Sequence, residues 1–337
     1  MYPRLIVDLE KLKHNTEFLV NKLYPIKVMG VTKVFCAMEE AVKAMIDGGI
    51  SFVADSRIDN LEKISTDLPK VLLRIPMQSE LDRVVQVTDI VLISEMDTIK
   101  KLNNEAKLHN KKIKIILMFD LGDLREGIWF EEELNFIEEI LDLDNISLYG
   151  IGTNLTCYGG IIPNRKHLEL LNELREAIES KGAKIEVISG GNSSSLYLED
   201  LSLINNLRLG EAIVLGRETA FGEILDGLYD DVFTLEAEVV EVKEKPSRPV
   251  GEIGMDAFGN KPSFIDKGNI MRAIVAVGKQ DVDESGLIFE GEILGASSDH
   301  LIIAGDYKVG DIIKFKLKYG ALLRLATSPY VKKEVIG

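Results

Sequence analysis

The sequence predicts an α/β fold: a (β/α)8 barrel of the TIM type followed by a smaller all-β C-terminal domain. Three observations carry this expectation. Short apolar runs alternate with helix-patterned segments eight times at compact spacing, as strands joined by crossover helices do. The runs are apolar almost throughout, which marks strands covered on both faces. After about residue 228 the alternation stops, and strand-like runs follow one another with turn residues between them. The expected domains are therefore residues 1–228 for the barrel and 229–337 for the β domain, the second of ordinary domain size.

Leu5-Ile6-Val7 is a short strand, and Asp8 is a suitable N-cap for a helix over residues 9–23. The apolar run that starts at Ile26, bounded by Pro25, opens the barrel count and ends at Thr32-Lys33; a helical pattern resumes at Met38-Glu39-Glu40. Ser51-Phe52-Val53-Ala54-Asp55 is the next strand, with a helix from near Asp59. Strands over 71–75 and 90–93 follow, then a helix over 97–109, a strand over 113–119, an acidic helix over 131–143 and a strand over 146–151. Pro163 opens a helix to Ser180, and residues 185–188 and 207–209 supply the seventh and eighth barrel strands. In the second domain the strand-like runs are 232–242, 270–277, 287–293, 300–303 and 312–317, with no convincing helix between them. Residues 243–249 read as an exposed loop, and the glycine-rich 251–259 stretch, which carries Phe258, as a turn or a loop reaching into a site.

Composition narrows the function. Apolar residues make up 46% and charged ones 28%, ordinary for a globular protein with a large core. With 40 basic against 55 acidic side chains the net charge is −15, and no basic patch interleaved with aromatics offers itself to nucleic acid. The acidic balance suits a cationic small substrate and equally suits mere solubility. Cys36 and Cys157 are too few for a disulfide framework, so free thiols and a cytoplasmic location are expected. The start, Met1-Tyr2-Pro3-Arg4, lacks a basic region followed by a long apolar core, and no segment is long enough to span a membrane.

The chemistry is expected where barrels keep it, at the carboxyl ends of the strands. Lys33 ends the first of them, and Val34 and Phe35 would partly desolvate its amine and lower its pKa, the condition for a Schiff-base lysine. A solvent-facing lysine at a strand end is the plain alternative. The seventh strand runs into Ser189-Gly190-Gly191-Asn192-Ser193-Ser194-Ser195, followed by the helix-like Leu196-Tyr197-Leu198-Glu199. The eighth ends in Arg208-Leu209-Gly210-Glu211. Glycines admit an anion close to the backbone and hydroxyls donate to it, and the loops after strands seven and eight are where barrels hold phosphate. Asn192, Ser193, Ser194, Gly210 and Glu211 are thus candidates for holding a phosphorylated cofactor, against the alternative of an ordinary capped turn.

A strand-end lysine plus a phosphate site points to pyridoxal 5'-phosphate. Arg208 then gains meaning, because a cation beside the pyridine nitrogen keeps that nitrogen unprotonated and weakens the ring as an electron sink. Such tuning favours brief proton removal and immediate return over transamination. The third cluster, Phe119-Asp120-Leu121-Gly122-Asp123-Leu124-Arg125-Glu126-Gly127, leaves the fifth strand at the same rim, and Arg125 is placed to fork onto a carboxylate. A loop this charged is equally consistent with solvated surface.

Taken in order, Val31-Thr32-Lys33, Asp120 with Gly122, Arg125 and Gly127, Asn192-Ser193 and Leu207-Arg208-Leu209-Gly210 resemble the landmarks of the alanine racemase family. The stretches Gly278-Lys279-Gln280-Asp281, Ser297-Ser298-Asp299-His300 and Ser328-Pro329-Tyr330 are most similar to its ornithine racemase branch, and the likeness covers almost the whole chain. The resemblance implies a pyridoxal-phosphate barrel with a β domain, paired head to tail as a homodimer so that each site borrows from the other subunit. It makes Lys33 the Schiff-base lysine and places Ser193, Gly210 and Tyr330 on the phosphate. It also places Arg208 at the pyridine nitrogen and Arg125 by the substrate carboxylate or the cofactor hydroxyl.

Three positions depart from the family pattern. Lys279 stands where alanine racemases carry the tyrosine base, Asn154 where they have a histidine, and Ala37 where they have a phosphate-contacting tyrosine. Lys279, Asp299 and His300 are therefore the candidates for the second acid–base group. A basic amino acid, ornithine or lysine, would need a carboxylate for its side-chain ammonium. Asp281 and Asp299 are the first candidates, with Asp256 and Asp283 behind them. The competing readings are a racemase of alanine or another neutral amino acid, a non-catalytic pyridoxal-phosphate carrier, and a metal-assisted lyase on D-hydroxy amino acids. The carrier proteins lack a β domain, and for the lyase Asp299-His300 is the one metal-like pair nearby.

Overall fold

The computed structural model describes residues 1–337, which divide into two compact units, Leu9–Asp230 and Met1–Asp8 together with Asp231–Gly337. The first unit is the barrel. Strand β1 (Arg4–Asp8) belongs to the other unit, and the barrel strands are β2 (Lys27–Val31), β3 (Phe52–Asp55), β4 (Lys70–Leu72), β5 (Ile90–Ile93), β6 (Ile113–Asp120), β8 (Ile146–Thr153), β9 (Val187–Ser189) and β10 (Asn206–Leu209). Each pairs in parallel with its neighbours in the order β5-β4-β3-β2-β10-β9-β8-β6, and pairing of β5 with β6 closes the ring. The two-residue β7 (Ile128–Trp129) adds to the end of β6 at Phe119 and Asp120.

Buried apolar side chains such as Met29, Phe52, Val71, Ile90, Ile116 and Val187 fill the barrel, each contributing about 2 kcal/mol on removal from water. Residues in register on adjacent parallel strands share a face. Met29 is in register with both Phe52 and Arg208, so Arg208 points into the barrel at its carboxyl end while Leu207 and Leu209 face the helices.

Helices form the outer layer: α1 (Leu9–Leu23), α2 (Glu39–Asp47), α3 (Ile58–Lys63), α4 (Leu81–Val87), α5 (Met96–Leu108), α6 (Phe136–Leu141), α7 (Arg165–Ser180) and the short α8 (Glu211–Leu215). Leu168, Leu171, Leu174 and Ile178 show the three- and four-residue spacing that gives α7 one apolar face. Asn164, not Pro163, caps this helix, in a reciprocal capping box with His167. The acidic helix expected over 131–143 shortens to α6. Glu131, Glu132 and Glu133 offer nothing to bury, and the Trp129 indole donates to Glu131 at 3.1 Å, holding that stretch as a loop.

The second unit is a β-sheet formed by β11 (Phe233–Pro246), β12 (Asn269–Val275), β13 (Leu287–Ile288), β14 (Glu292–Ala296), β15 (Leu301–Ala304), β16 (Ile312–Leu317) and β17 (Lys332–Ile336). The order is β13-β16-β11-β12-β15-β14, all antiparallel. Strand β1 extends it, antiparallel to β11 and parallel to β17. The first eight residues therefore belong here and not to the barrel: Leu5 and Val7 are wholly buried, and Arg4 is held between Glu236 at 2.7 Å and Glu334 at 2.9 Å. Other details differ from expectation. Residues 243–246 are strand, because the β11–β12 ladder continues beneath their exposed charged side chains as far as Pro246. The 287–293 run splits at a turn, where the Gly291 N–H donates to the Phe289 carbonyl at 3.1 Å. One helix, α9 (Tyr319–Thr327), joins the sheet and buries Ala321, Leu322, Leu325 and Ala326. No helix of either unit is long and apolar enough to cross a membrane.

Candidate active site

Strand β2 stops at Val31, and Lys33 begins a single 3-10 turn, Lys33–Phe35, that leaves its side chain half-buried at the carboxyl rim. The strand end is fastened from the neighbouring strand. The Thr32 hydroxyl donates at 2.6 Å to Asp55, a wholly buried carboxylate that also accepts from the Arg57 N–H at 2.9 Å and the Asn60 amide at 3.1 Å. Burial pushes the Asp55 carboxyl up, against the pull of these donors. Asp55 was visible in the sequence only as a polar end to an apolar run.

The loop after β9 turns directly into a 3-10 helix, Ser193–Tyr197, so the serines lie inside the helical turn and not ahead of it. Asn192 caps that turn through the Ser194 N–H at 2.7 Å, and its amide donates to Asn154 and to the Leu155 carbonyl, each at 2.9 Å. The Ser193 hydroxyl accepts from the Ala212 N–H at 3.1 Å, joining the loop after β9 to the start of α8, which Gly210 caps. The Ser194 hydroxyl is buried without a partner, and so are the Thr153 hydroxyl and the Arg217 Nε–H. Thr153 ends β8, Ser194 lies in the turn after β9, and Arg217 follows α8. A group with several acceptor oxygens would satisfy them.

Arg208 is buried, yet its guanidinium meets only neutral acceptors: the Ser189 hydroxyl, the Ser189 carbonyl at 3.4 Å, the Thr153 carbonyl at 2.5 Å and the Asn154 side chain at 3.4 Å. Burial lowers its pKa to about 10, Cys157 and Glu126 work against that, and Arg125 reinforces it. Glu211, at the first position of α8, is pushed up to about 7 by burial. Arg217 pulls it down, Glu218 pushes it further up, and Lys33 pulls it down. Arg125 is paired with its neighbour Glu126 at the exposed edge of the loop after β6. Asp120 caps that loop through the Gly122 N–H at 2.9 Å and the Leu124 N–H at 3.2 Å. One barrel rim thus gathers Lys33, Asn192, Ser193, Ser194, Arg208, Gly210, Glu211 and Arg125.

The C-terminal candidates form a group of their own within the β unit. A Cβ on Gly278 would lie 2.4 Å from the Ser298 carbonyl oxygen, so only glycine lets the two loops touch. There the Lys279 and Gln280 N–H groups donate to the Ser297 and Ser298 carbonyls at 2.9 and 3.0 Å. The Ser328 hydroxyl donates to Asp281 at 2.6 Å, which brings in the Ser328-Pro329-Tyr330 stretch. Lys279 pairs with Glu284 at 2.9 Å and lies over the Phe258 ring at 4.5 Å. His300 and Asp299 are exposed, the latter accepting only from the Ser298 hydroxyl at 2.7 Å. Asp256 and Asp283 are committed as turn caps, to Phe258 and Asn260 and to Ser285 respectively. Asp299 and His300 gather no third ligand. The trio with ligand atoms within 4.8 Å of one another is Asp82, Glu105 and His109, on the outer surface of α4 and α5. Neither Cys36 nor Cys157 is in a disulfide.

Residues 7–218 match the family model described as alanine racemase, N-terminal domain. Along its whole length the chain is 48% identical to an ornithine racemase of Acetoanaerobium sticklandii, with 100% of each covered. It is 43% identical to a lysine racemase of Thermotoga maritima, over 99% of this chain and 98% of that one. Among solved structures, the alanine racemase from D-cycloserine-producing Streptomyces lavendulae aligns with a TM-score of 0.79 over 99% of this chain and 97% of its own, at 14% identity. The Bartonella henselae alanine racemase with covalently bound pyridoxal phosphate aligns with a TM-score of 0.78 over 100% of both chains, at 17% identity.

Proposed function

Because this chain belongs to the alanine racemase N-terminal domain family and is an amino-acid racemase, we propose that it interconverts the enantiomers of ornithine, with lysine as a second substrate, using pyridoxal 5'-phosphate. The observation that carries the substrate is the full-length similarity to an ornithine racemase, which includes the C-terminal loops where the chain departs from alanine racemases.

The barrel rim fits the cofactor. The orphaned Ser194 hydroxyl and the Ser193–Ala212 junction suit its phosphate, and a buried Arg208 held by neutral acceptors suits its ring nitrogen. Lys33 stands at the strand end where its amine can hold the aldehyde. Bound there, the cofactor supplies an electron-withdrawing ring that makes the substrate Cα–H acidic. Arg208, unable to give up its charge at neutral pH, restrains that withdrawal so that the proton returns instead of the amino group being lost.

Racemisation requires a proton donor or acceptor on each face of Cα. Lys33 serves one face. In this reading the other is served by Lys279, with Asp299 and His300 on the loop that the Lys279 backbone touches as further candidates, supplied by the β unit of a second subunit. Asp281 or Asp299 takes the substrate ammonium, and Tyr330 and Arg125 complete the phosphate and carboxylate contacts. The proposed assembly is a head-to-tail homodimer. The test is cofactor-loaded protein incubated separately with L-ornithine, L-lysine and L-alanine, followed by chiral chromatography. D-ornithine should form fastest and D-alanine slowest; alanine turning over fastest would overturn the substrate assignment.

A further inference from the structure

We propose that Asp123 is a positioning residue of the racemase site. It clamps the loop after β8 to the loop after β6 and, through that loop, fixes the turn that receives the cofactor phosphate. The proposal rests on the cofactor reading above and extends it to a residue outside the family landmarks.

The side chain is 1% exposed, and both of its oxygens are engaged. One oxygen accepts from the Tyr158 N–H at 2.9 Å and the Cys157 N–H at 3.1 Å; the other accepts from the Gly159 N–H at 3.1 Å and the Ile161 N–H at 3.4 Å. The Asp123 carbonyl also accepts from Gly159 at 3.1 Å, and a Cβ on Gly159 would stand 2.7 Å from that oxygen. Four backbone donors of an irregular loop, with no ladder to take them, thus converge on one carboxylate. Thr156 sits at φ +67 and donates its hydroxyl to the Ile161 carbonyl at 2.7 Å, closing the loop on itself.

The loop so held carries two acceptors that matter at the rim. Asn154 and the Leu155 carbonyl receive the Asn192 amide, and Asn192 in turn caps the Ser194 N–H. Asn154 also faces the Arg208 guanidinium at 3.4 Å. Because the Asn154 amide also donates to Cys157 Sγ at 3.1 Å, a continuous set of hydrogen bonds runs from Asp123 through Cys157 and Asn154 to the serine turn and to the buried arginine. Only a carboxylate can end it, because an amide in the same place would turn an NH2 toward two of the four donors.

The experiment uses holoenzyme and three variants: Asp123→Asn, Gly159→Ala, and Leu102→Ala on the remote helix α5 as a packing control. Cofactor release is followed by absorbance during gel filtration and dialysis, and loop opening by hydrogen exchange of residues 154–162. Asp123→Asn, which loses charge-assisted hydrogen bonds, and Gly159→Ala, whose Cβ would press on the Asp123 carbonyl, should each release cofactor about tenfold or more faster than the parent, with exchange across 154–162 rising in step. Leu102→Ala should lower the melting temperature and leave both readouts as in the parent. In the parent itself the Tyr158 and Gly159 amides should be protected although the Tyr158 side chain is 75% exposed. Unprotected amides there, parent-like release from both clamp variants, or equal release from the control would overturn the clamp. A parent that holds no cofactor at all would instead overturn the reading on which the clamp rests.

Discussion

Glutamate 211 is the group whose replacement has the most calculable consequence. Burial at the start of α8 holds its folded-state pKa at about 7, against an ordinary 4.5. The native protein therefore binds more protons than the unfolded chain between those values, and this carboxyl makes stability fall as pH rises through that window and stay level on either side. At about 1.4 kcal/mol per unit the full shift corresponds to roughly 3 kcal/mol above pH 7, and partial exposure of the side chain discounts this to about 1–2 kcal/mol. Glu211→Gln keeps the shape and removes the ionisation. Cofactor-free variant should thus be the more stable protein at pH 8, by roughly 2–8 °C in melting temperature for a unit of this size, with most of the gain gone at pH 5. Differential scanning calorimetry of parent and variant at the two pH values reads this directly. A gain of equal size at both pH values, or a loss at pH 8, would refute burial as the cause.

Borohydride reduction of the cofactor-loaded protein followed by peptide mapping should find the cofactor fixed on Lys33, and Lys33→Arg should lose about a thousandfold or more in racemisation; a tag on another lysine sinks the assignment. Arg208→Glu should slow racemisation while transfer of the amino group to the cofactor becomes measurable by absorbance, and unchanged rate and spectrum would leave Arg208 a purely structural cation. Thr32→Val leaves Asp55 one donor short, at about 1.5–3 kcal/mol. Because Asp55 already titrates above the ordinary carboxylate range, the lost donor raises it further. The melting-temperature penalty should accordingly shrink as pH falls and protonation relieves the buried charge, and a penalty independent of pH would contradict this.

The barrel was legible because its strands are continuous apolar runs such as Ile90-Val91-Leu92-Ile93, bounded by turn residues and separated by amphipathic helices. Lys33, the serine loop and Arg208 were legible for the same reason, since a strand end can be located once the strand is. What stayed hidden depends on contacts between segments distant in sequence. Strand β1 reads as a short strand within the barrel domain, and only its pairing with β11 and β17 shows where it belongs. Tyr319–Thr327 is a short apolar stretch in which helix and strand are not separable by periodicity. Asp123 looked like one more charge in a polar loop, because its four donors lie more than thirty residues away, from 34 to 38 positions on. The contact between the Gly278 and Ser298 loops is likewise written in one glycine, whose need for a missing Cβ appears only when Ser298 is set against it, and the third stretch joins through the Ser328–Asp281 bond.

The central claim is that both faces of an ornithine Cα are served with proton exchange. It is tested most directly by incubating cofactor-loaded protein with L-ornithine in deuterium oxide and following chirality and Cα deuterium together. D-ornithine carrying deuterium at Cα should appear and approach an equal mixture with the L form. Persistence of pure L-ornithine with no deuterium gained, or gain of deuterium without inversion, would contradict the account.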